Sequence, residues 1–206
     1  MLRPENFDGA ADRMVEIYSR LENFILRDTA RRVLNAGKLT TTADRLLYKL
    51  EQMGESRQEI QKKLSELTGL SEKELRRLLQ DAVLTSWKDD AEVMAQIGIE
   101  ISSPLENKAY MRIIDAEYQK SRGELSNLTR TTMDAAQRDL INLLDDAEMR
   151  VSSGVQSYNA AAADVLDAYA GRGIMVTYPS GTRRTLEAAV RCCVVTSMNQ
   201  TAAQLT

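Results

Sequence analysis

The chain has 206 residues, with 27 Lys and Arg against 30 Asp and Glu, which gives a formal net charge of −3. It contains no histidine, which excludes most zinc sites and the histidine-based nucleophile pairs of hydrolases. Only 5% of the residues are aromatic, and a largely aliphatic apolar content is typical of helices packed on helices. The net acidity gives no help to non-specific binding of nucleic acid.

The two cysteines, Cys192 and Cys193, are adjacent on a predicted helix and cannot bond to each other without severe strain. We therefore expect reduced cysteines and folding inside the cell. No apolar run approaches the length of a membrane helix, and the N-terminal residues lack an apolar signal core. No membrane partner is expected.

The apolar spacing predicts a first helix from about Asp8 to Ala36, ending at Gly37. A shorter helix is predicted from about Thr42 to Met53, stopping at Gly54. The apolar face of the shorter helix comprises Leu46, Leu47 and Leu50.

Three capping boxes predict further helix starts, because a serine and a glutamate three residues later satisfy each other's unpaired backbone donors. They are Ser56 with Glu59, Ser71 with Glu74, and Ser103 with Glu106, the last with Pro104 at the first helical position. The first box predicts a helix that ends at Gly69, and the second a longer helix closed by Gly98. The apolar stripe of that longer helix is Leu75, Leu78, Leu79, Ala82, Val83, Val93, Met94 and Ile97.

From Thr131 the apolar residues recur at steps of three and four and predict one long helix that ends at Gly171. Such a helix of about forty residues would span roughly 60 Å. Gly154 lies inside it, and a tolerated glycine is favoured over a kink. The stripe comprises Leu140, Leu144, Ala147, Val151, Val155, Tyr158, Ala162, Val165 and Tyr169.

Residues 174–185 predict a β-hairpin, because a β-branched apolar run is followed by turn residues. In the turn, Pro179 presets its own φ angle and Gly181 permits the positive φ that closes it. Leu186 then begins a helix with Glu187 in its first turn. That helix is still helical in character at the last residue, so we expect the chain to be truncated or processed.

Arg183 and Arg184 on the second arm of the hairpin, with Arg191 in the next helix, predict a small basic cluster. Residues 131–170 carry seven acids against two arginines, a balance of −5, whereas residues 171–206 carry four arginines against one glutamate, a balance of +3. The cluster suits an acidic protein surface better than nucleic acid, since no row of aromatic residues accompanies it. Solvated arginines without a partner are an equal alternative.

No catalytic, cofactor-binding or metal-binding residue is predicted. Asp145 and Asp146 point about 100° apart on a helix and cannot share an ion, even with Asp139 nearby. The glycines Gly171, Gly173 and Gly181 do not have the spacing of a phosphate-binding loop.

Three blocks of the sequence carry a resemblance: SEKELRRLLQDAV (71–83), NLTRTTMDAAQRDLINLLDDAEMRVSSGVQSYNAA (127–161) and GIMVTYPSGTRRTLEAAVRCCVVTSMNQTAAQL (173–205). They resemble the minor capsid proteins of tailed phages of Gram-positive bacteria, the group often called phage minor capsid protein 2. In that family a V-x-Y-x-S-G turn leads into a [L/V]-[E/D]-x-A-V-R helix and an N-Q-T-A segment, in the order and spacing found here. The resemblance covers the chain from about residue 40, and Cys192-Cys193 departs from the family's polar or basic residues.

The resemblance implies a non-enzymatic structural protein, related in role to Mu F-like head-morphogenesis proteins, that acts in head assembly or in DNA packaging and ejection. It implies a place in the virion at the portal vertex inside the capsid, after assembly in the host cytoplasm. The implied partner is the portal protein, an oligomeric ring, with the major capsid protein and copies of the same chain as further candidates. No cofactor is implied, and any nucleic-acid contact would be non-specific. The hypothesis takes as portal-binding residues Tyr178, Pro179, Ser180, Gly181, Arg183, Arg184 and Arg191.

The predicted fold is mainly α, an elongated multi-helix assembly with one long helix of about 40 residues and a small β-hairpin near the C-terminus. The predicted segments are an N-terminal helix (1–37), a compact helical subdomain (38–103), a helical shaft with the long helix (104–172), and the hairpin with the C-terminal helix (173–206). Two alternatives for function remain. One is the N-terminal delivery or anchoring part of a longer phage effector with a catalytic domain downstream. The other is a cytoplasmic helical adaptor with no phage connection.

Overall fold

A computed structural model describes residues 9–39, 41–154 and 156–204. The elements are α1 (Asp12–Ala36), α2 (Thr42–Gln96), a 3-10 helix (Pro104–Glu106), α3 (Lys108–Ser152), α4 (Tyr158–Arg172), β1 (Met175–Thr177), β2 (Arg183–Thr185) and α5 (Leu186–Ala203). Of the residues that the structure describes, 83% are helical. The predicted fold class is therefore confirmed: a mainly α protein with a long helix and a small β-hairpin near the C-terminus.

The predicted first helix is confirmed as α1, which ends at Ala36 directly before Gly37. The expected start at about Asp8 is wrong: Asp8 lies outside the described residues, but Gly9 to Ala11 form a turn, with Gly9 at a φ of +70°, and the helix begins only at Asp12. After Gly37 the chain turns sharply, with backbone hydrogen bonds from Lys38 to Asn35 and from Leu39 to Ala36, each 3.1 Å long.

The prediction of three separate helices between Thr42 and Gly98 is wrong, since α2 is one helix of 55 residues. Gly54 and Gly69 lie inside it, where an exposed glycine costs only about 1 kcal/mol. The serines expected to cap new helices bond elsewhere: Ser56 Oγ donates to Asp28 Oδ2 at 3.1 Å, and Ser71 Oγ to the Thr68 carbonyl at 2.9 Å.

The expected helix end at Gly98 is confirmed, because Gly98 has a φ of +77° directly after the last turn of α2. The third capping box does not begin an α-helix. Ser103 precedes the 3-10 helix and its side chain makes no capping hydrogen bond. Instead, Asn107 Oδ1 accepts a hydrogen bond from Ala109 N at 2.9 Å at the start of α3.

The expected long helix from Thr131 to Gly171 is also wrong in its position. The 45-residue helix is α3, which ends at Ser152, and α4 is a separate helix of 15 residues. Between them Gly154 has a φ of +73°, and Ser157 Oγ accepts a hydrogen bond from Ala160 N at 3.4 Å. Val155, which was expected in the long helix, lies outside the described residues.

The end of α4 lies one residue later than expected. The helix runs past Gly171 to Arg172, and Gly173, with a φ of +67°, donates its N–H to the Tyr169 carbonyl at 2.9 Å.

The chain divides into two compact units. The first unit comprises the described residues within 1–17, 68–127 and 187–206, and the second comprises those within 18–67 and 128–186. The division into four segments that the sequence suggests stays a prediction.

In the second unit, one apolar core joins parts of α1, α3 and α4. Tyr158 OH donates to the Val33 carbonyl and Tyr48 OH to the Arg32 carbonyl, each at 3.0 Å, so both tyrosines satisfy their polar ends inside the unit. The buried core residues are Val33, Ala36, Leu140, Leu143, Leu144, Ala147, Tyr158, Ala161, Ala162, Val165 and Tyr169.

In the first unit, α2 and α3 run antiparallel. Arg76 Nη1 lies 2.8 Å from Asp115 Oδ1, and Arg122 Nε lies 2.5 Å from Glu72 Oε1. Each helix of the unit contributes buried apolar side chains; among them are Met14, Leu75, Leu78, Leu79, Ala82, Val83, Ile114, Val190 and Val194.

One predicted apolar stripe and the far end of another do not belong to the core. The leucines that were assigned to the face of the shorter helix are exposed, as is the far end of the stripe that begins at Leu75. The exposed side chains are Leu46, Leu47, Leu50, Val93, Met94 and Ile97. Helical spacing predicted their shared faces, but no described part of the chain covers them.

Candidate functional site

The hairpin lies in the second unit and consists of two short antiparallel strands. Its register pairs Met175 with Thr185, Val176 with Arg184, and Thr177 with Arg183. All of β2 is exposed, whereas Val176 in β1 is buried. One strand is thus held by the core and the other faces solvent.

The turn closes as the sequence predicts. Gly181 N donates to the Tyr178 carbonyl and Tyr178 N to the Thr182 carbonyl, both at 2.9 Å. Gly181 has a φ of +82°, which is the left-handed conformation that commonly ends a three-residue hairpin loop. Pro179, Ser180 and Gly181 are all exposed, so the tip of the hairpin is open to contact.

The base of the hairpin is fixed to the core. Ile174 is completely buried, and its N–H donates to Glu22 Oε1 of α1 at 2.9 Å. On the other strand, Leu186 N donates to the Ile174 carbonyl at 3.2 Å, and the Leu186 side chain is also buried. An anchored base keeps the exposed tip in one orientation relative to this unit.

Arg183 and Arg184 are exposed, and no described carboxylate lies within salt-bridge distance of either one. The Arg184 guanidinium lies over the Tyr178 ring, 5.7 Å from its centre, a cation–π contact across the two strands. The hairpin therefore carries two positive charges that the described part of the unit does not neutralise.

Arg191, the third arginine of the predicted cluster, is assigned to the first unit and is already paired. Its guanidinium lies 2.9 Å from Asp12 Oδ1 and 3.3 Å from Glu187 Oε1. The hydrogen bonds that Arg191 donates to Asp12 and Glu187 raise the pKa of its guanidinium above the usual range. The structure thus brings the turn residues, Arg183 and Arg184 together on one hairpin, and gives Arg191 acidic partners of its own.

The acidic side chains of residues 131–170 are partly neutralised by cations within the second unit. Asp139 pairs with Arg172 at 3.0 Å, Asp145 with Lys49, and Asp164 with Arg150 at 3.3 Å. Asp139 and Asp145 therefore bind different cations. Among the residues that the structure describes, no group of three or more Cys, Asp or Glu side chains could hold a metal ion.

Sequence reasoning missed two features of this site. The contact between Tyr178 and Arg184 could have been found from the turn, because its register places these residues diagonally on one face of the hairpin. The bond from Ile174 to Glu22 has no local signal, because the two residues are 152 positions apart.

Within the described ranges, no helix has both the length and the apolar character needed to cross a membrane. No curated protein and no solved structure matches the chain. A family described as Phage minor capsid protein 2 matches residues 2–206, essentially the whole sequence. The chain therefore belongs to the phage minor capsid protein 2 family, which supports a structural role in a bacteriophage and makes the protein a component of the virion.

Proposed function

We propose that this protein is a portal-bound structural component of the phage head, and that residues 174–185 are its contact with the portal ring. The observation that carries the proposal is the anchored, exposed hairpin, in a protein of a minor capsid family, with two arginines that no described carboxylate pairs. Such a protein would act in head assembly or in DNA packaging and ejection.

The backbone of β2 supports a contact through the strand edge. Tyr178 and Thr182 form a hydrogen-bonded pair, as do Ile174 and Leu186. Because bonded and non-bonded pairs alternate in an antiparallel ladder, the N–H and C=O of Arg183 point away from β1. A partner strand could add to this edge while an acidic surface of the partner meets the arginines.

The charges favour protein over nucleic acid as the main partner. Two arginines on a strand are few for a phosphate-binding surface, and no described aromatic row accompanies them. The major capsid protein and further copies of this chain are additional candidate partners, and any contact with DNA would be non-specific.

The proposal is tested with the purified chain and the purified portal ring of the same phage, by measuring the dissociation constant. The double variant Arg183→Glu with Arg184→Glu should bind at least tenfold more weakly, a loss of about 1.4 kcal/mol. The matched control is Arg57→Glu with Lys62→Glu, which makes the same charge change at exposed positions of α2 in the same unit. Absence of binding by the unaltered chain, or an equal loss in the control, would overturn the proposal.

Of the alternatives, a host adaptor is disfavoured by the family match. The delivery part of a longer effector stays a prediction. Sequencing the gene beyond the codon for Thr206 tests this alternative, because an immediate stop codon would exclude a catalytic domain downstream.

A further inference from the structure

The last turns of α2 lie outside the core of the first unit. From Lys88 to Glu100 every side chain that the structure describes is exposed except Ala91, which is half-buried. An unpacked helical end of this length gains little from helix propensity alone, since short helices are marginal in water without tertiary contacts.

The pairing of α2 with α3 explains this exposure. Continuing the register of Arg76 with Asp115 and of Glu72 with Arg122 places Lys108, the first residue of α3, opposite the turn around Leu84. Helix α2 therefore continues for about three turns beyond the start of α3.

The exposed end carries an apolar surface that we name the α2 end patch, consisting of Val93, Met94, Ile97 and Ile99. Val93 and Ile97 are one helical turn apart and are 61% and 67% exposed. Such i, i+4 apolar pairs are the anchors by which an amphipathic helix binds in a groove.

The end of the helix is closed by its own hydrogen bonds. Ile99 N donates to the Met94 carbonyl and Gly98 N to the Ala95 carbonyl, both at 3.0 Å, with Gly98 at a φ of +77°. This is the Schellman arrangement, in which the residue after the glycine turns back toward the last helical turn. Ile99 thus lies next to the last turn of α2, and its side chain, 48% exposed, extends the apolar surface.

Acidic side chains border the patch. Asp90, Glu92 and Glu100 are exposed and have no described cationic partner within salt-bridge distance, while Lys88 is the one cation of this segment. A surface with an apolar centre and an acidic border is complementary to an apolar groove with a basic border.

We propose that the α2 end patch docks as a helix into an apolar, basic-edged groove of a different protein of the phage particle. A second copy of this chain is a poor occupant, because pairing two such patches brings carboxylates against carboxylates. Nucleic acid is a poor occupant for the same reason, since phosphate would meet the acidic border. The inference does not depend on the hairpin, which lies in the other unit.

The test uses virions assembled with the full chain carrying a photocrosslinking residue, Ile97→p-benzoylphenylalanine. The matched control is Gln96→p-benzoylphenylalanine, a position that is also exposed but, one residue earlier, points about 100° away. After irradiation, crosslinked products are identified by mass spectrometry. We expect the Ile97 position to crosslink to one other protein, at a segment flanked by Lys or Arg, with at least fivefold higher yield than the Gln96 position.

The charge of the border is tested on the same probe. Asp90→Lys with Glu92→Lys should lower the Ile97 crosslink yield at least fivefold, whereas Glu51→Lys with Asp146→Lys, an equal charge change at exposed acids of the second unit, should not. Crosslinks between two copies of this chain, crosslinks to nucleic acid, equal yields from Ile97 and Gln96, or a yield that charge reversal leaves unchanged would each overturn the proposal. The comparison of crosslink yields from Ile97 and Gln96 leaves the acidic residues of the border unchanged. It therefore still tests the proposal if a charge-reversal variant fails to fold.

Discussion

Glu22 Oε1 accepts a hydrogen bond from the backbone N–H of Ile174, 152 residues later in the chain, at 2.9 Å. The same oxygen would have to move for a side chain at Gly173, because a Cβ atom there would lie 2.9 Å from it. Gly173 also has a φ of +67°, which disfavours other residues. One carboxylate on α1 therefore contacts the chain where α4 ends and the hairpin begins.

Replacing this carboxylate should loosen the base of the hairpin. Glu22→Ala leaves the buried Ile174 N–H without an acceptor, which costs about 1–3 kcal/mol locally. Hydrogen–deuterium exchange at the Ile174 amide should therefore accelerate at least fivefold. Glu22→Gln keeps an acceptor oxygen and should exchange nearly as slowly as the unaltered chain. If the Ile174 amide of the alanine variant exchanged as slowly as that of the unaltered chain, contacts other than Glu22 would hold the base of the hairpin.

The turn provides a second prediction. Gly181→Val strains a residue at a φ of +82° by roughly 1–2 kcal/mol, although no other atom lies within 4 Å of the added Cβ position. Gly181→Asn is the matched control, because asparagine tolerates this conformation. If the hairpin binds the portal, the valine variant should lose affinity for the portal ring and the asparagine variant should keep most of it.

Circular dichroism provides the check on this pair of variants. Both should retain the helicity of the unaltered chain, because only the turn depends on the backbone at Gly181. Global unfolding of the valine variant would contradict the local role assigned to this glycine. Equal portal affinity of the two variants would mean that the conformation of the turn does not contribute to portal binding.

The turn and the first helix were predictable because their signals are local. Pro179 and Gly181 determine the conformation of a turn of only four residues. Gly37 directly follows the last turn of α1, so it signals the helix end locally. The sequence wrongly predicts a helix start at Ser56, because the hydrogen-bond partner of the Ser56 side chain lies far away in the sequence. Its hydroxyl bonds to Asp28, 28 positions earlier, and so does not cap a new helix.

The break between α3 and α4 was missed for a different reason. Val151 and Tyr158 lie on opposite sides of the break but pack on the same core, so the apolar spacing continues through it. Periodicity alone cannot separate this arrangement from one continuous helix. The combination of Gly154 with a capping serine at Ser157 was the signal available in the sequence.

Two glycines of the second unit should respond oppositely to alanine. In Gly37→Ala the new Cβ would lie 2.7 Å from Cδ1 of Tyr158, a buried ring whose hydroxyl is bonded to the Val33 carbonyl. This overpacking should cost about 1–3 kcal/mol. Gly54→Ala has open space on α2 and should stabilise the protein by about 0.5–1 kcal/mol.

Urea unfolding of the two variants under the same conditions measures both effects. The midpoint should fall for Gly37→Ala and rise for Gly54→Ala, with the slope against urea unchanged. A Gly37→Ala protein as stable as the unaltered chain would mean that the Tyr158 ring moves aside without cost.

The buried ion pair of Asp28 with Arg32 should make the stability of the protein depend on pH. Asp28 and Arg32 have side chains that are each 2% exposed, with Arg32 Nε 2.8 Å from Asp28 Oδ2. Burial raises the pKa of the Asp28 carboxyl, but hydrogen bonds from Arg32, Arg31 and Ser56 together outweigh it and hold the pKa below its ordinary value of 3.8. The ionised form is therefore favoured in the folded state, and its contribution to stability is present above that ordinary value and is lost as the pH falls through the lower, folded-state pKa.

Asp28→Asn should thus lower the free energy of unfolding by about 3 kcal/mol at pH 7, since it leaves the buried Arg32 without its nearest countercharge. The difference from the unaltered chain should shrink as the pH falls below about 4, because the Asp28 carboxyl binds a proton there in the unfolded chain, whereas in the folded state, with its lowered pKa, it does so only at lower pH. Asp115→Asn is the control: its carboxylate pairs with Arg76 but is 54% exposed, so the loss should stay under about 0.5 kcal/mol. Urea unfolding at pH 7 and at pH 3 measures both variants. A difference between Asp28→Asn and the unaltered chain that is as large at pH 3 as at pH 7 would mean that the loss comes from packing rather than from the carboxylate charge.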